Sequence, residues 1–138
     1  MIQGIGIDII EIDRIANAVK RELFVQRVFT PGEQLYCDQR GVQRAASYAA
    51  RFAGKEAVVK AFGTGLVEGS FQDIEILPDD KGCPQVKLRG FFAEFAQRLG
   101  VRQIHISLTH AREYAAAHAI LWGGKTGEDC DSRRDESD

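Results

Sequence analysis

Two acids and an amine in this chain are of types that could manage a phosphate-bearing substrate. Asp8 interrupts an isoleucine-rich run, while Glu56 and Lys60 sit in RFAGKEAVVKAFGTG, residues 51–65. On a helix Glu56 lies about 40° from Lys60 and about 40° from the apolar Phe52, at the border of a buried stripe. A carboxylate there needs a partner. An i, i+4 Glu-to-Lys pair contributing roughly 0.2–0.5 kcal/mol would satisfy it. Asp8 supports a second reading, because an acid in such a strand opposes both strand propensity and burial unless it is exposed or bound. Together Asp8 and Glu56 could hold a hard cation. Two carboxylates without His or Cys suit Mg²⁺, which keeps several waters and completes its shell from a phosphorylated ligand. Residue type alone leaves both readings open.

A further polar group lies in HISLTH, where His105, Ser107 and Thr109 share a strand face and His110 comes at the strand's end. No Ser/His/Asp triad and no G-x-S-x-G elbow accompanies it, so a nucleophilic hydrolase fits poorly. His118, between two alanines, reads as a packed or surface histidine. The glycines of GIGID and FGTG match neither a P-loop nor a dinucleotide fingerprint. Cys37, Cys83 and Cys130 are odd in number and widely spaced, which predicts reduced thiols rather than a disulfide framework or a zinc site. Residues 14–60 hold nine Lys or Arg against four Asp or Glu within a chain of net charge −2. An acidic partner could dock there, and a solvated helix surface would show the same charge.

The elements that must position these groups follow from periodicity. MIQGIGIDIIEI alternates as a strand, with Ile5, Ile7 and Ile9 on one face and Gly4, Gly6 and Asp8 on the other. From Asp13 to about Leu23 the stripe Ile15, Val19, Leu23 predicts one helix with Arg14 and Arg21 on another side. Thr30, Pro31 and Glu33 predict a short capped helix. The longest helix is expected from about Val42 to Phe62, stopped by Gly63. FQDIEILP and PQVKLRG read as a hairpin across DDKG, FFAEFAQRL as a helix closed by Gly100, and QIHISLTH and YAAAHAILW as two further strands. The order predicts an α+β fold with a mostly antiparallel sheet.

A chain of 138 residues, 44 % hydrophobic, predicts one soluble domain with no apolar run of the roughly 20 residues that span a bilayer. MIQGIGIDIIEIDRI lacks the basic leader of a signal peptide, so a cytoplasmic location is expected. Residues 123–138, with six acids and three bases and no large apolar side chain, are expected to form a disordered acidic tail after a domain at 1–122.

GIGIDIIEIDRI, RFAGKEAVVKAFGTG with FQDIEI, and ISLTHAREYAAAHAIL resemble, in order and spacing, the holo-acyl-carrier-protein synthase family, the small trimeric 4′-phosphopantetheinyl transferases. The likeness runs over about residues 2–122 and includes FT at 29–30 and the KGCP turn. It implies Mg²⁺-dependent transfer of the phosphopantetheine arm of coenzyme A to a serine of apo acyl carrier protein, without a nucleic-acid or membrane partner. It assigns Asp8 and Glu56 to the metal, Lys60 to the bridging phosphates, and Glu56 as candidate base. Arg51, Ser107 and His110 would contact coenzyme A phosphates, Gly82 and Pro84 would form the turn beside the adenine, and Arg14 and Arg21 would receive the acidic carrier protein. A homotrimer with sites between neighbouring subunits is implied. Gly54 is a modest departure, expected to loosen its helix by up to ~1 kcal/mol relative to Ala. Two rivals remain: a carrier-protein or coenzyme A binding module without activity, and a metal-dependent nucleotide diphosphate hydrolase.

Overall fold

The computed structural model describes residues 1–66 and 68–124, so the expected tail lies outside the described residues from position 125 onward. The elements run β1 (Ile2–Glu11), α1 (Ile12–Ala18), α2 (Glu22–Val28), α3 (Pro31–Asp38), α4 (Arg44–Phe62), β2 (Ile74–Pro78), β3 (Pro84–Leu88), α5 (Gly90–Leu99), β4 (Val101–His110) and β5 (Tyr114–Gly123). An antiparallel sheet of order β1-β5-β4 and a separate β2-β3 hairpin, both packed with helices, make this an α+β fold.

Alternation sorts the sheet into two unlike faces. Gly6, Ile10, Ala115, Ala117, Ala119 and Leu121 are buried on the face that carries α4, with Ile104, Ile106 and Leu108 packed against the same core. Ile5, Ile7 and Ile9 are 58 %, 67 % and 64 % exposed on the other, where Ile7 pairs with His118 and His118 with Ser107. The isoleucine row of β1 therefore faces away from the core, and the glycines and Asp8 face the helix.

Glycine sets how closely β1 approaches α4. A Cβ at Gly6 would lie 2.8 Å from the Ala57 carbonyl carbon and 2.8 Å from the Ala61 amide nitrogen, and nearer still to the Ala57 carbonyl oxygen. Gly54 is also a packing residue: a Cβ there would come within 2.6 Å of the Ile76 Cδ1. Close contact with β2, rather than looseness, accounts for it. Gly63 and Gly100, both at positive φ, end α4 and α5 as left-handed caps.

The helix expected from Asp13 to Leu23 is two helices. The chain leaves the helix at Val19 and re-enters after Arg21, whose backbone is extended. A continuous helix would put Leu23 on the buried stripe, whereas the break leaves it 74 % exposed and buries Val25 and Val28. The Thr30–Glu33 capping box forms as expected. The long helix starts at Arg44, after a 3-10 turn at Gly41–Gln43.

Candidate active site

Asp8 follows Gly6 on the helix-facing side of β1, and the close approach of the two backbones brings it to the solvent end of α4. Lys60 Nζ donates to Asp8 Oδ1 at 2.9 Å and to the Ile7 carbonyl at 3.1 Å. The lysine of the expected i, i+4 pair is thus bound to Asp8, a partner 52 residues away. Burial, and then the nearby Asp8 carboxylate, push the half-buried Glu56 carboxyl above its ordinary value, with Lys60 opposing. The hydrogen bond to Asp8 holds the Lys60 ammonium above its own ordinary value. Two acids repelling each other beside one amine form a site short of positive charge.

These groups open into a cleft of about 560 Å³ lined by Asp8, Arg14, Arg21, Phe24, Phe52 and Glu56, among others. Arg14 lies on α1 and Arg21 in the break after it, so the interruption turns both arginines toward the cleft. Phe24 stands between the Arg21 guanidinium, 5.9 Å from its ring centroid, and Phe52, 6.1 Å away. The arrangement offers a basic, partly aromatic wall beside paired acids.

The other expected ligand residues lie elsewhere on the chain. Pro84 and Ser107 line a second cleft of about 500 Å³ along β3 and β4, next to the turn that Gly82 makes at φ +87°. His110 is exposed at the end of β4, paired with Ala115. Arg51 is 6 % exposed, with Nε donating to the Ile76 carbonyl at 3.3 Å and its guanidinium 4.5 Å from the Tyr36 ring centroid. Ser107 points to the open face of the sheet and Asp8 to the helix face. One chain therefore brings Asp8, Glu56, Lys60, Arg14 and Arg21 together, and it does not bring Arg51, Ser107, His110, Gly82 and Pro84 to them.

Sequence reasoning passed over one buried pair. Lys55, beside Glu56, is fully buried against a fully buried Glu33, Nζ to Oε1 2.7 Å. Burial pushes the Glu33 carboxyl up and the Lys55 ammonium down, each opposing the other's shift. The capping box around Glu33 was the only local signal. Cys83 is a free, exposed thiol on the second cleft, and Cys37 is buried, its thiol pushed up to about 12 by burial.

Residues 4–121 match the family model of the 4′-phosphopantetheinyl transferase superfamily. The holo-[acyl-carrier-protein] synthase of Ruminiclostridium cellulolyticum is 48 % identical over 120 residues, 85 % of this chain and 90 % of the relative. Among solved structures, that of the Neisseria meningitidis holo-[acyl-carrier-protein] synthase aligns with a TM-score of 0.80 at 32 % identity, covering 88 % of this chain and 99 % of that one. The Helicobacter pylori synthase, solved in complex with coenzyme A, aligns with a TM-score of 0.75 at 33 % identity, covering 86 % and 99 %.

Proposed function

The chain belongs to the 4′-phosphopantetheinyl transferase superfamily, and we propose that it is a holo-[acyl-carrier-protein] synthase. The reaction moves the 4′-phosphopantetheine arm of coenzyme A to a serine of apo acyl carrier protein and releases adenosine 3′,5′-bisphosphate. Asp8 and Glu56 at a cleft walled by Arg14 and Arg21, with Lys60 bonded to Asp8, carry this reading.

The serine oxygen attacks the phosphorus nearer the pantetheine, a new O–P bond forms, and the bond from that phosphorus to the bridging oxygen breaks. Glu56, as the carboxylate, takes the serine proton, and the burial and the Asp8 charge that raise its carboxyl make it a stronger acceptor. Lys60 swings from Asp8 to the leaving phosphate, where its ammonium offsets developing charge. Arg14 and Arg21 hold the acidic carrier protein against the cleft, so that two anionic reactants meet in one place.

Asp8 and Glu56 fit a hard divalent cation: both are oxygen donors, and their mutual repulsion is what a dication would relieve. Among the described residues no cluster of three or more acids, histidines or cysteines forms, so waters and phosphate oxygens would have to complete the shell around Asp8 and Glu56. Mg²⁺ bound there would polarise the diphosphate and lower the cost of charge on it.

The opposite orientation of Ser107 and Asp8 supports a homotrimer in which one subunit supplies Pro84, Gly82, Ser107 and His110 to coenzyme A and its neighbour supplies the acids. Exposed Ile5, Ile7 and Ile9 offer the apolar surface such an assembly would bury. Residues 1–122 would form the transferase unit. The reduced thiols Cys37 and Cys83 suit the cytoplasm, and among the described residues no helix is long and apolar enough to cross a membrane.

The test mixes the protein with coenzyme A, Mg²⁺ and apo carrier protein and reads the carrier's intact mass. A gain of one phosphopantetheine arm is expected, lost in Asp8→Asn and Glu56→Gln. No gain with any of several carriers would favour the binding module, and bisphosphate release without a carrier would favour the hydrolase.

A further inference from the structure

The buried face of α4 is made mostly of small side chains: Ala46, Ala49, Ala50, Ala53, Ala57 and Ala61, with Gly54 beside them. Such a face packs closely, with Tyr48, Val58, Val59 and Phe62 as its large buried apolar side chains, and apolar packing of this kind sets distance more than register. The reacting groups of the proposed function depend on that setting, because Glu56 and Lys60 ride on α4 while Asp8 belongs to β1. Something directional has to fix the helix.

Lys55 supplies the direction. Its Nζ donates to the carbonyls of Phe71, at 2.9 Å, and Ile74, and meets Glu33 Oε1 at 2.7 Å. Glu33 is held in turn: its Oε1 accepts from the Thr30 amide at 2.9 Å and its Oε2 from the Ile76 amide at 2.7 Å. One ammonium therefore ties α4 to the start of α3, to the turn before β2 and to β2 itself. A slide of α4 by one residue, about 1.5 Å, would break all three of its bonds.

The charges themselves are weak evidence of a stabilising role, since replacing a buried ion pair with well-packed apolar residues is often neutral or stabilising, and the backbone bonds they make are the directional part of the arrangement. We propose that Lys55 and Glu33 are positioning residues that fix the register of α4, so that Glu56 and Lys60 meet Asp8. This rests on the proposed synthase reading for its consequences in turnover and on the proposed Asp8–Glu56 cation site for those in metal binding.

The test is the double variant Glu33→Leu with Lys55→Met, which removes both charges and keeps the volume. Thermal unfolding, turnover with coenzyme A and carrier protein, and Mn²⁺ binding to substrate-free protein by electron paramagnetic resonance are compared with the parent. A lower unfolding midpoint is expected, because the Thr30 and Ile76 amides and the Phe71 and Ile74 carbonyls lose their partners; under conditions where the variant is folded, KM for coenzyme A should be unchanged, kcat lower by about tenfold or more, and Mn²⁺ affinity lower by about threefold or more. A folded double variant with parental kcat and parental Mn²⁺ affinity would overturn the proposal. Should that variant fail to fold, Glu33→Asp keeps the charge and withdraws the carboxylate by one methylene: reduced kcat at unchanged KM supports the anchor, and parental kcat overturns it. A parent that transfers nothing sinks the synthase reading instead, and the Mn²⁺ comparison then decides the anchor alone.

Discussion

Gly6→Ala adds one methyl group where β1 and α4 nearly touch. The new carbon would lie 2.8 Å from the Ala57 carbonyl carbon and the Ala61 amide nitrogen, with the Ala57 oxygen closer still. Ordinary contacts need about 3.5 Å, so the helix must lift from the strand by more than roughly 0.7 Å. Backbone lies on the helix side, so no side chain can swing away to make room. Overpacking of this kind costs about 3 kcal/mol, at the upper end of its usual range, which for a chain of this length lowers the unfolding midpoint by roughly 10 °C. The lift occurs two residues from Asp8, and it moves Glu56 and Lys60 on the helix away from Asp8 on the strand by a similar amount. Turnover should therefore fall by about 100-fold even in the molecules that remain folded. Denaturant unfolding measures the first effect, and the carrier mass assay under conditions where the variant is folded measures the second. A Gly6→Ala protein with the parent's midpoint and the parent's kcat would refute the claim that this contact sets the site.

Glu56→Gln should raise the unfolding midpoint of substrate-free protein in EDTA at neutral pH. Folding raises this carboxyl above the 4.5 of the free group, so stability is full below that value and is lost as pH climbs through the raised one; Gln has no such loss, and a midpoint equal to the parent's at pH 7 would contradict the assignment. Arg14→Glu with Arg21→Glu should raise the KM for carrier protein at least about tenfold with the KM for coenzyme A unchanged, and an equal rise in both would argue against a docking wall. Ile7→Asp, on the open face of β1, should leave the isolated fold intact but lower the mass seen by light scattering to that of one chain, because it puts a charge into surface worth about 1–2 kcal/mol per isoleucine when buried. An unchanged mass would exclude that face as the interface.

Local chemistry made much of this legible before any coordinates. The capping box at Thr30 and Glu33 and the glycine stops at Gly63 and Gly100 involve neighbours in sequence, and each forms where expected. The break between α1 and α2 was not legible, since Ile15, Val19 and Leu23 keep helical spacing and only the choice between burying Leu23 and burying Val25 with Val28 decides the path. Lys60 was placed with Glu56 by spacing, whereas its bond to Asp8 depends on two glycines that let a distant strand come close. Lys55 carried no local signal of its own, and its burial follows from Glu33 on another helix. The strand pattern separated Asp8 from the isoleucines, yet which side meets the core became visible only with α4 in place.

In the proposed assembly, the opposite orientation of Asp8 and Ser107 would make each subunit two half-enzymes set back to back. In the proposed trimer a chain donates its acids to one neighbour's coenzyme A residues and receives acids from the other, so a defect in either half is not private to the chain that carries it. Asp8→Asn chains and chains damaged at Ser107, each inactive alone, would regain sites when co-assembled, because mixed rings juxtapose an intact acid face with an intact coenzyme face. Genetic complementation between two dead alleles is what the proposed trimer would bring, and dominant interference between a dead allele and a live one would be its cost.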